Sequence, residues 1–170
     1  TMPDGELIHQ YTLRNINGVE LKLIEYGATM TAINLPRKGL EHLNVIAGEE
    51  TLEPYLKGYP AGSVIGRFAN RIAHAKFSIG NTEYEVTRNT GPHHIHGGRK
   101  GFAKVVWSAD LLPVTKDSAA VRLERRGPLD GDKVLRTQLL ELGAHRRQLG
   151  SMGALEGTES LLLVVCKRTL

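Results

Sequence analysis

Three histidines stand within four positions at His93, His94 and His96. Imidazole donates, accepts or transfers a proton near neutral pH, and two imidazoles two residues apart on a strand can share a metal ion. Gly91-Pro92 precedes the group and Gly97-Gly98 follows it, so the stretch reads as a turn or loop entry, not a helix. If residues 94 to 96 are extended, His94 and His96 face one way and Ile95 the other. Gly97-Gly98 would then let the backbone turn sharply or approach a ligand closely. Upstream, Gly66-Arg67-Phe68-Ala69-Asn70-Arg71-Ile72 carries a side-chain amide and two guanidinium groups. In a regular strand Asn70 and Arg71 point to opposite faces, so both can meet one ligand only if the backbone bulges or turns there. Taken alone, Arg71 is a surface charge, Asn70 a turn residue, and His93 and His94 are loop and packing residues.

The elements that must hold these groups are short strands. Leu7–Leu13 and Val19–Ile24 flank Asn15-Ile16-Asn17-Gly18, a strong hairpin signal. Val19–Ile24 alternates as a half-buried strand does, and Met30–Leu35 follows with the same alternation until Pro36. Arg37-Lys38-Gly39 reads as a turn and Leu43–Ala47 as a short strand. Residues 49–62 read as a loop with at most a helical turn near Leu52–Leu56. Ala75–Ile79 and Thr82–Val86 form a second hairpin around Gly80-Asn81, and Lys104–Ala109 is a further strand. Short strands with frequent turns indicate an all-β sandwich or barrel-like fold. Past Ala109 the pattern weakens. Ala119–Leu123 is a strand candidate, residues 133–149 have helical composition, and Leu161–Val165 is a lone apolar strand candidate.

The length of 170 residues suits one domain, or one with an appendage. A net charge of +4 with scattered Lys and Arg gives no reason to expect a nucleic-acid partner. No apolar run is long enough to span a bilayer as a helix, which leaves the cytoplasm as the default. The single cysteine, Cys166, can make neither an intrachain disulfide nor a cysteine zinc cluster. Every Phe, Tyr and Trp lies at or before Trp107. Aromatic side chains supply much of a small core's buried area, so the two parts of the chain differ in kind.

The strings Gly66–Ile72 and His94-Ile95-His96-Gly97-Gly98, with Gly101-Phe102 and Trp107 behind them, occur in order with Glu25-Tyr26-Gly27-Ala28 and Leu52-Glu53-Pro54-Tyr55. In that order and spacing they resemble the aldose 1-epimerases, or galactose mutarotases, over roughly residues 7 to 110, with Asp130-Gly131-Asp132 similar to a family turn. The resemblance implies a mutarotase-like β-sandwich (supersandwich) portion over residues 1–110 and leaves 111–170 as an unassigned tail that does not match the family, partly helical by its composition. It implies interconversion of the α and β anomers of free aldoses such as galactose and glucose by acid/base ring opening, with no cofactor and no metal. It implies a small-molecule sugar as the partner and Asn70, Arg71 and His96 as its binding residues. Arginine's fork of donors, the two-way amide and the imidazole suit a hydroxyl-rich ligand. The family's acid is a histidine and its base a glutamate, both downstream of the matched region. His145, Glu141, Glu156 and Glu159 lack the family context, so no catalytic residue is identifiable and a non-catalytic sugar-binding fragment is the alternative. A cupin-like metal-binding β-barrel is the lesser rival, since His94-x-His96 is followed by no carboxylate ligand.

Overall fold

The computed structural model describes residues 1–58, 61–114 and 118–126, and the backbone of 158–166. Among these the chain is all-β: eleven strands against one four-residue α-helix and two single turns of 3₁₀ helix. The strands β1 (Gln10–Arg14), β2 (Glu20–Ile24), β3 (Thr29–Arg37) and β4 (Leu40–Asn44) form one antiparallel sheet in that order. The β1–β2 turn is the one expected. Asn15 Oδ1 accepts the N–H groups of Asn17 and Val19, each at 3.0 Å, and Gly18 sits at φ 79°.

β2 departs from half-buried alternation. It lies between β1 and β3, and four of its five residues are buried, including Glu20. That carboxylate is tolerated because it is paired: Arg14 Nη2 donates to it at 2.7 Å and Asn34 Nδ2 at 3.1 Å. The Arg14 hydrogen bond, outweighing burial, holds Glu20 below the usual carboxylate range. Pro36 does not close β3. The β3–β4 register shifts between Leu35 and Arg37, and this irregularity accommodates a residue that cannot donate to the ladder. β4 starts earlier than the sequence suggests, directly after the Lys38-Gly39 turn, and every one of its residues is exposed.

The chain divides into two units. Among the described residues one comprises 1–58, 61–64, 103–114, 118–125 and 159–166, and the other 65–102. The first holds the four-stranded sheet, the helix α1 (Glu53–Leu56) and a three-stranded sheet of β11 (Thr158–Cys166), β10 (Ser118–Arg126) and β9 (Ser108–Leu111). Leu23, Val121 and Leu123 are fully buried in this unit and Trp107 nearly so. Lys104–Trp107, expected to be strand, is not. Phe102–Lys104 is a turn of 3₁₀ helix, and Val106 makes one isolated bridge to Tyr26. The segment pairs with Glu25–Gly27 through Gly27 N–H to Val105 O at 2.8 Å and Trp107 N–H to Glu25 O at 3.0 Å. Gly27, at φ 67°, is required there, because a Cβ would meet Ala103 O at 2.8 Å.

The Glu25-Tyr26-Gly27-Ala28 string is therefore architectural. The buried Glu25 carboxylate also accepts the His9 N–H at 2.9 Å and the Tyr11 hydroxyl at 2.7 Å, with His9 Nδ1 at 3.1 Å. Burial, then the bond to Glu25, pushes the Tyr11 phenol up to about 12.

The second unit contains β5 (Arg71–Ile72), β6 (Lys76–Ile79), β7 (Thr82–Glu85) and β8 (His94–Ile95). β6 and β7 are the expected hairpin around Gly80-Asn81, pairing Ile79 with Thr82. Ala75, Tyr84 and Val86 form its core, with Phe68, Ile72 and Phe77 packed against them. Tyr84 stacks on Phe77, ring centroids 5.5 Å apart. The helix expected over residues 133–149 lies outside the described residues. The candidate at Leu161–Val165 falls within β11, and Ala119–Leu123 within β10. Among the described residues no helix is long and apolar enough to cross a membrane.

Candidate functional site

Both motif strings meet in the second unit as a two-residue antiparallel ribbon. Arg71 pairs with Ile95 and Ile72 with His94. Thr90-Gly91-Pro92-His93 makes the turn into β8, with Thr90 and His93 exchanging backbone bonds at 3.2 and 3.1 Å. The free edge of β8 is completed by a side chain. Asn89 Oδ1 accepts the Ile95 N–H at 2.8 Å, and Asn89 Nδ2 donates to Ile95 O at 2.9 Å. One amide thus replaces one residue of a third strand. Sequence reading missed Asn89, whose only signal is its place just before a Thr-Gly-Pro turn.

At the end of the ribbon Asn70 and His96 face each other. His96 N–H donates to Asn70 O at 3.0 Å, and Asn70 N–H donates to His96 Nδ1 at 3.2 Å. Both residues are left-handed, at φ 60° and 50°. Asparagine tolerates that region well, and histidine is enriched there among non-glycine residues. This is the backbone turn needed to free Asn70 and Arg71 from strict alternation. Asn70, Arg71 and His96, the three residues expected to share a ligand, are neighbours in this ribbon and all are exposed.

The same turn overturns one expectation. His94 and His96 do not share a face, because the left-handed backbone at His96 ends the strand. His94 is fully buried, edge-on to Phe68 with ring centroids 5.8 Å apart. Its Nδ1 lies 2.7 Å from Thr87 O, a carbonyl that can only accept, so this nitrogen carries the proton. His94 Nε2 is buried without a hydrogen-bond partner. A shared metal ion would need lone pairs converging from His94 and His96, but one ring is in the core and the other spends Nδ1 on Asn70. Among the described residues no cluster of three metal-ligating side chains occurs. His93 Nδ1 accepts the His74 N–H at 2.9 Å, the same wiring as His96.

Gly97 locks the two strings together. A Cβ on it would collide with Gly66 O, and Gly101 Cα lies 3.1 Å from the same point. Phe102 N–H donates to Gly66 O at 3.0 Å, and the Arg67 guanidinium lies over the Phe102 ring at 5.4 Å, so Arg67 is a packing residue. His145, Glu141 and Glu156 lie outside the described residues.

Comparison with known proteins adds a second line of observation. The family model described as aldose 1-epimerase matches residues 9–132. The galactose mutarotase of Bos taurus is 37% identical over 116 residues, which is 68% of this chain and 32% of the relative. That of Homo sapiens is 36% identical over 130 residues, 76% of this chain and 36% of the relative. The crystal structure of a galactose 1-epimerase from Lactobacillus acidophilus superposes with a TM-score of 0.65 at 29% identity, over 75% of this chain and 37% of that one. The chain thus spans about a third of the length of the curated relatives it matches.

Proposed function

The chain belongs to the aldose 1-epimerase family, with that family's all-β fold, and from this we propose that Asn70, Arg71 and His96 bind a free aldose whose α and β anomers the site serves to interconvert. The observation that carries the proposal is the reciprocal pairing of Asn70 with His96 next to Arg71, which gathers the polar groups of two distant strings at one ribbon end. Arg71 supplies donors only, and Asn70 a donor and an acceptor, the pattern that vicinal hydroxyls require. Mutarotation also needs an acid at the ring oxygen and a base at the anomeric hydroxyl, and neither is assigned to a described residue.

The test joins binding to turnover. Calorimetric titration of the full chain with galactose and with glucose should give binding heat. Arg71→Ala should lose about 1.5–3 kcal/mol, the range for hydrogen bonds to a charged group, or roughly tenfold or more in affinity. Polarimetry on the same samples reads anomer interconversion against the spontaneous rate. Equal titrations for the wild type and Arg71→Ala would remove Arg71 from the site. Binding without turnover would reduce the chain to sugar recognition.

A further inference from the structure

The three clustered histidines are wired in two opposite senses. Backbone N–H groups donate to Nδ1 of His93 from His74 at 2.9 Å and to Nδ1 of His96 from Asn70 at 3.2 Å. A nitrogen that accepts has no proton, so in the neutral ring the proton is on Nε2. At His94 the Nδ1 faces the Thr87 carbonyl at 2.7 Å and keeps its proton. We infer that Asn70 is a positioning residue acting through its main chain: its N–H, presented by a left-handed backbone, fixes His96 as the Nε2–H tautomer, so that this imidazole can only donate to a ligand oxygen.

The geometry explains why position 70 needs such a residue. At φ 60° Asn70 points its N–H at the ring and its carbonyl at the His96 N–H, so one residue holds both the ring and the backbone of its partner. Glycine could adopt the same φ, whereas a β-branched residue there would be an outlier. The consequence for a ligand rests on the sugar-binding proposal. With His96 fixed as a donor and Arg71 donor-only, the sugar atoms they meet act as acceptors, and the amide of Asn70 is the partner able to accept a hydroxyl proton.

Long-range nitrogen–proton correlation spectra of the full chain read the tautomers directly, above the pH at which the rings are charged. The expected pattern is Nε2–H for His93 and His96 and Nδ1–H for His94 in one spectrum. Asn70→Gly should leave His96 unchanged. Asn70→Val should convert His96 to an averaged tautomer mixture while His94 keeps its own signature. In galactose titrations the Val variant should bind roughly five- to tenfold more weakly than the Gly variant, the worth of one well-placed hydrogen bond. A wild-type His96 that is averaged or protonated on Nδ1 overturns the inference, as does an Asn70→Val spectrum with His96 unaltered. If Val disturbs His94 as well, the Gly variant decides: loss of the His96 tautomer there overturns the inference, and retention supports it. The two proposals fail separately. The expected tautomer without galactose binding removes only the sugar, and galactose binding with an Nδ1–H His96 removes only the tautomer lock.

Discussion

The contact between Gly97 and Gly66 makes a quantitative prediction about how the two motif strings hold each other. Gly97 sits at φ 81°, and the atoms a Cβ would meet, Gly66 O and Gly101 Cα, are all backbone. No side chain can swing away to make room. Gly97→Ala therefore incurs two costs: about 1–2 kcal/mol for an L-residue in the left-handed region, and about 1–3 kcal/mol for overpacking against rigid atoms. The sum, about 2–5 kcal/mol, is a large fraction of the roughly 5–15 kcal/mol typical of a folded domain. Gly80 is the control. It lies at φ 57° with nothing within 4 Å of the added Cβ, so Gly80→Ala carries only the conformational cost. In urea, at a mid-range slope of about 2 kcal/mol per molar, Gly97→Ala should lower the midpoint by roughly 1–2.5 M and Gly80→Ala by clearly less. Equal midpoint shifts for the two variants would refute the reasoning, because they would show that the Gly66–Gly97 approach is not tight.

Three further outcomes follow from individual groups. Tyr11 ionises at about 12 when folded against 10.0 ordinarily, so its stabilising contribution is complete below pH 10 and is lost as pH rises through 12. Spectrophotometric titration should show the late phenol, and the stability difference between the wild type and Tyr11→Phe should shrink over that window by at most about 2 kcal/mol after screening. Glu20 has the opposite sign: its depressed value makes its contribution full above the ordinary carboxylate range and lost as pH falls through the folded value, so Glu20→Gln should flatten the acid limb of stability against pH. Leu23 is fully buried and Leu40 is 64% exposed, so thermal or urea unfolding should show about 2–5 kcal/mol lost in Leu23→Ala and within about 0.5 kcal/mol for Leu40→Ala.

What was legible in the sequence, and what was not, divides along a physical line. Both hairpins could be read because local chemistry sets them: Asn15 and Gly18 build one turn, and Gly80-Asn81 joins β6 to β7. The all-β class followed from the same short-range signals. Failures cluster where tertiary contacts override local pattern. Lys104–Trp107 has strand composition, yet its backbone bonds go to Glu25–Gly27 through a single bridge, and no residue within the segment announces that partner. The alternation that put His94 and His96 together assumed an extended backbone, and φ 50° at His96 breaks it. Left-handed non-glycine residues at 70, 74, 75 and 96 have no periodic signature, since hydrophobic pattern reports burial and not the sign of φ. Asn70 and His96 are themselves proposed to bind sugar, and His74 and Ala75 lie in the turn that follows β5, while the fifth such residue, Ala28, belongs to the other unit. A short ribbon of β5 and β8 cannot hold such conformations by itself. They persist because Asn89 completes the outer edge, the Gly66–Gly97 contact closes the far end and His94 anchors the strand in the aromatic core. The exposed polar groups of the ribbon are thus positioned by residues that no ligand need touch, which is why the motif strings are longer than the three side chains that could meet a sugar.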